Sequence, residues 1–299
     1  MPLVPYTAGV RVVVLGAGGQ LGRELARVLP PDAVHWARRD LDVRDEAAVA
    51  SRLAATRADV VVNAAADNRV DAAESDPGAA FATNATGAAH VARAAAAQGS
   101  LLVHFSTDYV FDGRAGRPYR EDDRPNPQSA YGRSKHAGER LVAGLAPRHV
   151  VIRLAGLYAG GGSRGKGGSF VDRVLARAEA GAALRVVTDQ VTAPTWARDV
   201  AETVAALVPG WVAGRAPLGL YHLTNAGECT WHEFACAALA CRGRQERVEP
   251  ISTATLDAPA ARPAYSVLAN TRLAALDVPP LRHWRAALSA YLAVADSAD

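Results

Sequence analysis

Tyr131, Lys135 and Thr107 are the residues whose types and spacing point most directly to chemistry. Tyr131-Gly132-Arg133-Ser134-Lys135 lies inside a helical pattern, and positions four apart share one helix face, so phenol and ammonium can address one pocket. A phenol with an ordinary pKa of ~10 is a poor proton donor at neutral pH until a nearby cation stabilises its anion. Lysine suits that task as a compact charge that can also hydrogen-bond a sugar hydroxyl. The chain has 33 basic residues, and lysine occurs only at Lys135 and Lys166; every other one is arginine. A lysine kept where arginine elsewhere serves as the solvated charge favours a role. Thr107 closes the apolar run 101–106, and open α/β sheets place their ligands at the C-terminal ends of central strands. A hydroxyl there can stabilise a carbonyl oxygen as it becomes an alkoxide. Taken singly, a tyrosine and a lysine on a helix face, or a threonine at a strand end, are more often structural. Taken together they describe proton transfer to a carbonyl.

A glycine turn supplies the context. Residues 10–15 form a β-branched run leading into Gly16-Ala17-Gly18-Gly19-Gln20-Leu21-Gly22, and a helical pattern follows through Arg27. Gly16, Gly19 and Gly22 fit GxxGxxG; the GxGxxG form fails because Leu21 occupies its third glycine position. Such a turn lets the backbone approach a pyrophosphate at a helix N-terminus, which predicts a dinucleotide site. The second strand ends at Trp36, and Arg38 and Arg39 come before Asp40 and Asp42. Arginine at that place accommodates a 2′-phosphate, so NADPH is the expected cofactor, with NADH as the alternative if both arginines are merely solvated. Asp42 and Val43 are expected beside the adenine.

The elements that must position these groups alternate along the first half. Strands are expected at 33–36, 60–63, 101–105 and 150–154, and helices at 46–55, 79–98 and 129–145. This rhythm predicts an α/β fold, a Rossmann-type doubly wound parallel sheet, with a smaller C-terminal substrate lobe. The expected division is 8–154 plus about 184–214 for the nucleotide-binding domain, and about 155–183 plus 215–299 for the lobe. Residues 159–168 are too glycine-rich for an element and read as a flexible loop.

The totals agree with an enzyme of ordinary composition. In 299 residues, 49% are hydrophobic and 21% charged, with a net charge of +3 spread along the chain. No basic tail or stripe implies a nucleic-acid partner. No apolar run approaches the roughly 20 residues that span a bilayer, and the N-terminal run reads as a strand rather than a signal peptide. Three clustered cysteines, Cys229, Cys236 and Cys241, argue against a disulfide framework and for a reducing cytoplasm.

Longer segments carry a family resemblance over nearly the whole chain. They are Val62-Asn63-Ala64-Ala65-Ala66, Val70-Asp71-Ala72-Ala73-Glu74, Ser106-Thr107-Asp108-Tyr109-Val110-Phe111-Asp112-Gly113, Tyr131 to Lys135, Asp189-Gln190 to Pro194-Thr195, Gly219 to Leu223, and Arg262-Pro263-Ala264-Tyr265-Ser266. The chain resembles the extended short-chain dehydrogenase/reductases, and among them the dTDP-4-dehydrorhamnose reductase branch. The resemblance implies reduction of the C4 ketone of a nucleotide-linked 4-keto-6-deoxysugar by NAD(P)H. By it, Tyr131 gives the proton, Lys135 lowers the tyrosine pKa and binds the ribose, and Thr107 orients the ketone. Gly16, Gly19, Gln20, Leu21, Gly22, Asn63, Ala64, Ala65 and Ser106 would line the cofactor. Val70, Asp108 and Tyr109 would lie near the sugar, and Gln190, Thr195 and Arg262 would hold the nucleotide end, with Arg262 suited to a diphosphate. A homodimer is expected from the family's habit.

Two departures stand out. Typical members carry a tryptophan in a TSWVY-like stretch that packs on the substrate; here the run is Leu154-Ala155-Gly156-Leu157-Tyr158. The loop that follows is longer and richer in glycine. Both point towards another 4-keto sugar, as in secondary-metabolite glycosylation. Three alternatives compete. The related 4,6-dehydratases use a Glu after Thr-Asp, where this chain has Tyr109. A sugar-nucleotide epimerase is opposed by the Asp-Tyr-Val-Phe stretch, and a non-catalytic regulatory subunit by the intact Thr–Tyr–Lys set. Cys229, His232, Cys236 and Cys241 lack the paired short spacings of a zinc site, so no metal is expected. Lys166 reads as a solvated loop residue, or as a phosphate contact on loop closure.

Overall fold

The computed structural model describes residues 10–160 and 168–296. Five strands follow one another in the first half: β1 (Val12–Leu15), β2 (Val34–Trp36), β3 (Val60–Asn63), β4 (Leu101–Thr107) and β5 (His149–Leu154). A sixth, Gly219–His222, pairs with β5, so the sheet runs from it through β5, β4, β3 and β1 to β2, all parallel. β-branched residues fill β1 and β3, and both are buried along their whole length, as a sheet covered on two faces requires.

Alternation along each strand divides the core. Val12 and Val14 face helix α1 (Gln20–Val28) and the helix Ala197–Val212, with Leu25, Val204, Leu207 and Trp211 between them. Val13 and Leu15 face the other way, with Val49 and Leu53 of helix α2 (Glu46–Thr56). After β3 come two short helices, α3 (Ala72–Ser75) and α4 (Pro77–Phe81), a π-helical turn at Ala82–Gly87, and α5 (Ala88–Ala97). The long helix α6 (Ala130–Leu145) then lies across α5.

The helix expected over 79–98 runs continuously through α4, the π-turn and α5 with helical dihedrals at both junctions, and the π-turn widens it around Asn84. A Cβ on Gly138 of α6 would sit 2.1 Å from the Asn84 carbonyl oxygen, and one on Gly132 would sit 2.3 Å from the Tyr109 carbonyl. Glycine inside a helix costs about 1 kcal/mol against alanine. At these two positions the cost is offset because no larger residue lets α6 approach so closely.

Two of the expected boundaries shift. Gly219–His222, assigned to the lobe, is the sixth strand of the large sheet, because β5 offers it a full register of partners. Leu184–Val187, assigned to the nucleotide domain, pairs instead with Val248–Ile251 in a separate two-stranded sheet. The smaller lobe is built on Phe170–Glu179, Trp231–Cys241 and Trp284–Asp296 around Tyr158, Trp196, Phe234, Trp284 and Tyr291. A strap, residues 260–269, returns from it across the end of β4: Tyr119 donates to the Val267 carbonyl and accepts from Ala269.

Candidate active site

The C-terminal ends of β1 to β4 carry the site. β4 stays buried to its last residue, and Thr107 turns the chain into a short 3-10 segment, Asp108–Val110, its hydroxyl accepting the Tyr109 amide at 3.3 Å. The same hydroxyl donates to Asp108 Oδ1 at 2.9 Å and faces the Tyr131 phenol, whose pKa it lowers. Ser129 caps α6 by accepting the Gly132 amide, and Glu74 accepts the Ala130 amide at 2.7 Å; together they fix the turn that carries Tyr131. The Tyr109 and Tyr131 rings meet edge to face at 5.6 Å, with Val70 packed against them. Thr107, Tyr131 and Val70, three of the residues singled out in the sequence, thus converge.

Lys135 is buried and donates to the Phe105 carbonyl oxygen at 2.6 Å. Burial pulls its pKa down to about 8, against the opposing charge of Glu139 one turn further along α6. The phenol of Tyr131 is pushed up by burial and by the charges of Asp108 and Asp67, against the Thr107 hydrogen bond. Lys135 acts instead on His104, whose pKa burial lowers first and the ammonium lowers further. Asp108 is buried among hydroxyls and amides, and burial lifts its carboxyl to about 6 although hydrogen bonds from Ser266 and Thr107 oppose the rise.

Beneath this group lies polar support that carries no catalytic signature in the sequence. Glu139 accepts two hydrogen bonds from Arg153 of β5, both at 2.8 Å, in a pair whose side chains are 7% and 3% exposed. Asn84, in the π-turn, bridges the Asp67 amide and carbonyl and donates to Ser134 at 2.9 Å. The spacing of Glu139, four residues beyond Lys135, was the available signal for the first; nothing local marks the second.

The glycine turn expected to hold a dinucleotide lies at the end of β1. Gly16 adopts φ +78°, and a Cβ there would lie 2.5 Å from the Ala65 amide nitrogen; at Gly22 it would lie 2.3 Å from the Gly16 carbonyl. The turn therefore packs directly on the Asn63–Ala64–Ala65 backbone, which the Asn63 side chain shapes by accepting the Ala65 amide at 3.2 Å. Gly19 caps α1 with no side-chain hydrogen bond, and the first turn of α1 holds no acidic residue, so its amides suit a pyrophosphate. Leu21 is core, offering a ligand only its backbone, and the Gln20 amide reaches the Ala159 carbonyl at 3.4 Å. Arg38 and Arg39 are exposed beyond β2, where a 2′-phosphate would lie. Asp42 is clamped by Arg44 at 2.6 Å and is held near pKa about 2 mainly by that hydrogen bond. Val43 is buried against the π-turn and α5, under Gly87 and with its carbonyl bonded to His90.

The residues expected at the nucleotide end divide. Arg262 lowers the Tyr109 pKa by its charge and pairs with Asp71 at 2.7 Å, on the site's rim. Gln190 is buried and its amide donates to Thr253 at 2.9 Å. Thr195 is fully buried; its hydroxyl donates to the Ala193 carbonyl and accepts from Asn225, so the protein uses both capacities itself. Gly156 lies at φ +52°, a Cβ there being 3.1 Å from Pro194. Lys166 lies outside the described residues. Cys236 Sγ is 3.8 Å from His232 Nδ1, Cys229 is buried apart, and no metal-holding cluster occurs among the described residues.

The model of the RmlD substrate binding domain family matches residues 10–297. The chain belongs to that family. It is 44% identical over 284 residues to a dTDP-4-dehydrorhamnose reductase of Streptomyces griseus, covering 93% of this chain and 92% of that one. It is 41% identical over 286 residues to a probable dTDP-4,6-dihydroxy-2-methyloxan-3-one 4-ketoreductase of Streptomyces antibioticus, covering 93% of each. The crystal structure of the Bacillus anthracis dTDP-4-dehydrorhamnose reductase in complex with NADP superposes with a TM-score of 0.89 at 32% identity, over 94% of this chain and 98% of that one. No helix among the described residues is long and apolar enough to cross a membrane.

Proposed function

We propose that this protein is an NADPH-dependent sugar-nucleotide 4-ketoreductase acting in the cytoplasm on a dTDP-linked 4-keto-6-deoxysugar, with NADH as a second cofactor. The observation that carries the reading is the convergence of Thr107 and Tyr131 above Lys135, at the strand ends beside a glycine turn built for a pyrophosphate. The family relatives named dTDP-4-dehydrorhamnose reductase support the substrate class.

When bound, the reduced nicotinamide supplies the hydride. Gly16, Gly19 and Gly22 with the α1 N-terminus would hold its pyrophosphate, and Arg38 and Arg39 its 2′-phosphate. Tyr131 holds the proton that the ketone oxygen takes. Burial keeps that proton on the phenol in the resting protein, and a ketone oxygen gaining negative charge draws it off. Thr107 fixes the position of that oxygen, and Lys135, still cationic below about pH 8, places a positive charge beneath the site. Arg262 leaves or shares Asp71 to meet the diphosphate.

A second 4-keto sugar in place of the rhamnose precursor is favoured by Gly156, whose backbone differs from what an aromatic wall needs, and by the 4-ketoreductase relative from Streptomyces antibioticus. The test follows nicotinamide absorbance with NADPH and then NADH, supplying dTDP-4-keto-6-deoxy-L-mannose. Turnover that Tyr131→Phe lowers by roughly 10²–10⁴-fold, with NADPH binding retained, supports the reductase reading. Binding without turnover on this or other dTDP-4-keto-6-deoxysugars removes it. Size-exclusion chromatography with light scattering tests the accompanying proposal of a homodimer.

A further inference from the structure

Asp108 is a carboxyl group with no place in the mechanism above, yet it lies in direct contact with it. It is 4% exposed, accepts from Thr107 Oγ1 at 2.9 Å, and faces the Ser266 hydroxyl of the strap, itself 4% exposed, which lowers its pKa. Tyr131 on α6 and Tyr109 beside it face the same carboxyl; Arg262 from the strap and Asp71 act on Tyr109 from its far side, and Asp67 acts on Tyr131.

Thr107 has one proton and several claimants. Its oxygen already accepts the Tyr109 amide and contacts the Tyr131 phenol. With Asp108 ionised, the Thr107 proton points at the carboxylate and is turned away from a ketone. With Asp108 protonated, its own O–H donates to Thr107 Oγ1, and the threonine proton is released to the ketone oxygen that Tyr131 also addresses.

We propose that Asp108 is a positioning residue of the ketone reduction: its protonation sets the direction of the Thr107–Asp108 hydrogen bond. The inference rests on the reductase reading for its consequence in turnover, but the proton on Asp108 belongs to the protein alone. Burial places the titration of this carboxyl at about 6. A nucleotide sugar seated over the site adds to the burial and moves it further up.

The experiment uses the full chain, as wild type, Asp108→Asn and Ser266→Ala. Infrared difference spectra of the unliganded protein follow the carbonyl stretch of a protonated carboxyl between about pH 5 and about pH 8. Turnover with NADPH is followed over the same range. The expected result is a carboxyl band that fades near the titration of Asp108, is missing in Asp108→Asn, and persists to higher pH in Ser266→Ala, which loses a donor to the carboxylate. In turnover, wild-type kcat falls about tenfold per pH unit beyond the titration. Asp108→Asn, whose amide always donates, is flat there, and the limb of Ser266→Ala moves up. A band or limb unchanged in Asp108→Asn overturns the proposal; should that variant not fold, an unmoved limb in Ser266→Ala overturns it equally. If the wild type reduces no 4-keto sugar, the functional reading fails by itself and the infrared titration still decides the state of Asp108.

Discussion

The Lys135 ammonium donates to the Phe105 carbonyl at 2.6 Å, tying α6 to the strand that ends, two residues later, in Thr107. A cation is thus buried where its partners are one peptide oxygen and a carboxylate a helical turn away.

That burial costs stability, with a definite sign. The folded pKa, about 8, lies below the unfolded lysine value of ~10.4. Between those values the unfolded chain holds more protons, so stability climbs with pH across that window and the full penalty applies below it. Lys135→Met is expected to melt at higher temperature than wild type at pH 7, with the gap closing by about pH 10, while turnover is lost. A lower melting temperature at pH 7 would show that the Phe105 hydrogen bond outweighs the burial.

Glu139→Gln leaves Arg153 buried with half its fork unmatched. Removing one partner of a buried pair costs about 3–5 kcal/mol, which denaturant melts would register as a fall in midpoint. Burial pushes the Glu139 carboxyl up, but hydrogen bonds from Arg153 and His136 outweigh it and hold the group at about 2. The stabilisation is present above the unfolded glutamate value of ~4.3 and is lost as pH falls towards 2. The melting temperatures of variant and wild type should therefore converge in acid.

Gly16→Ala brings a Cβ to 2.5 Å from the Ala65 backbone and strains a residue at φ +78°. The cost is expected at about 1–3 kcal/mol, with NADPH affinity reduced alongside. Calorimetric titration of NADPH together with a thermal melt checks both; an unchanged affinity would separate the turn from the dinucleotide site.

Gly156→Trp is the substitution that the family resemblance suggests would rebuild an aromatic wall. The left-handed backbone at φ +52° and Pro194 3.1 Å from the Cβ position oppose it. The variant is expected to lose about 1–2 kcal/mol without a lower KM for the rhamnose precursor. A lower KM would show that the backbone here adapts.

What the sequence disclosed was chemistry written locally. Tyr131 and Lys135 are readable because four residues make one helix face, and Thr107 because a long apolar run ends there. The glycine turn is readable because the strand before it and helix after it are continuous. Longer-range relations were hidden. Gly219–His222 has four residues and no alternation, and only β5, whose paired residues lie 69 positions earlier, makes it a strand. An alanine-rich segment has no periodicity with which to announce the π-turn around Asn84. Thr195 has the type of a ligand contact, but burial assigns its hydroxyl to Ala193 and Asn225. Ser266 stands in a recognised motif, yet its contact with Asp108 depends on the path of the strap.

The seating of Gly138 on the Asn84 carbonyl also works as an index mark. A single residue inserted between Tyr131 and Gly138 would rotate the phenol by roughly 100° about the helix axis while the mark stayed fixed. Length changes in α6 are therefore read as errors of rotation, and an insertion is tolerated only where it falls outside the span from Tyr131 to Gly138.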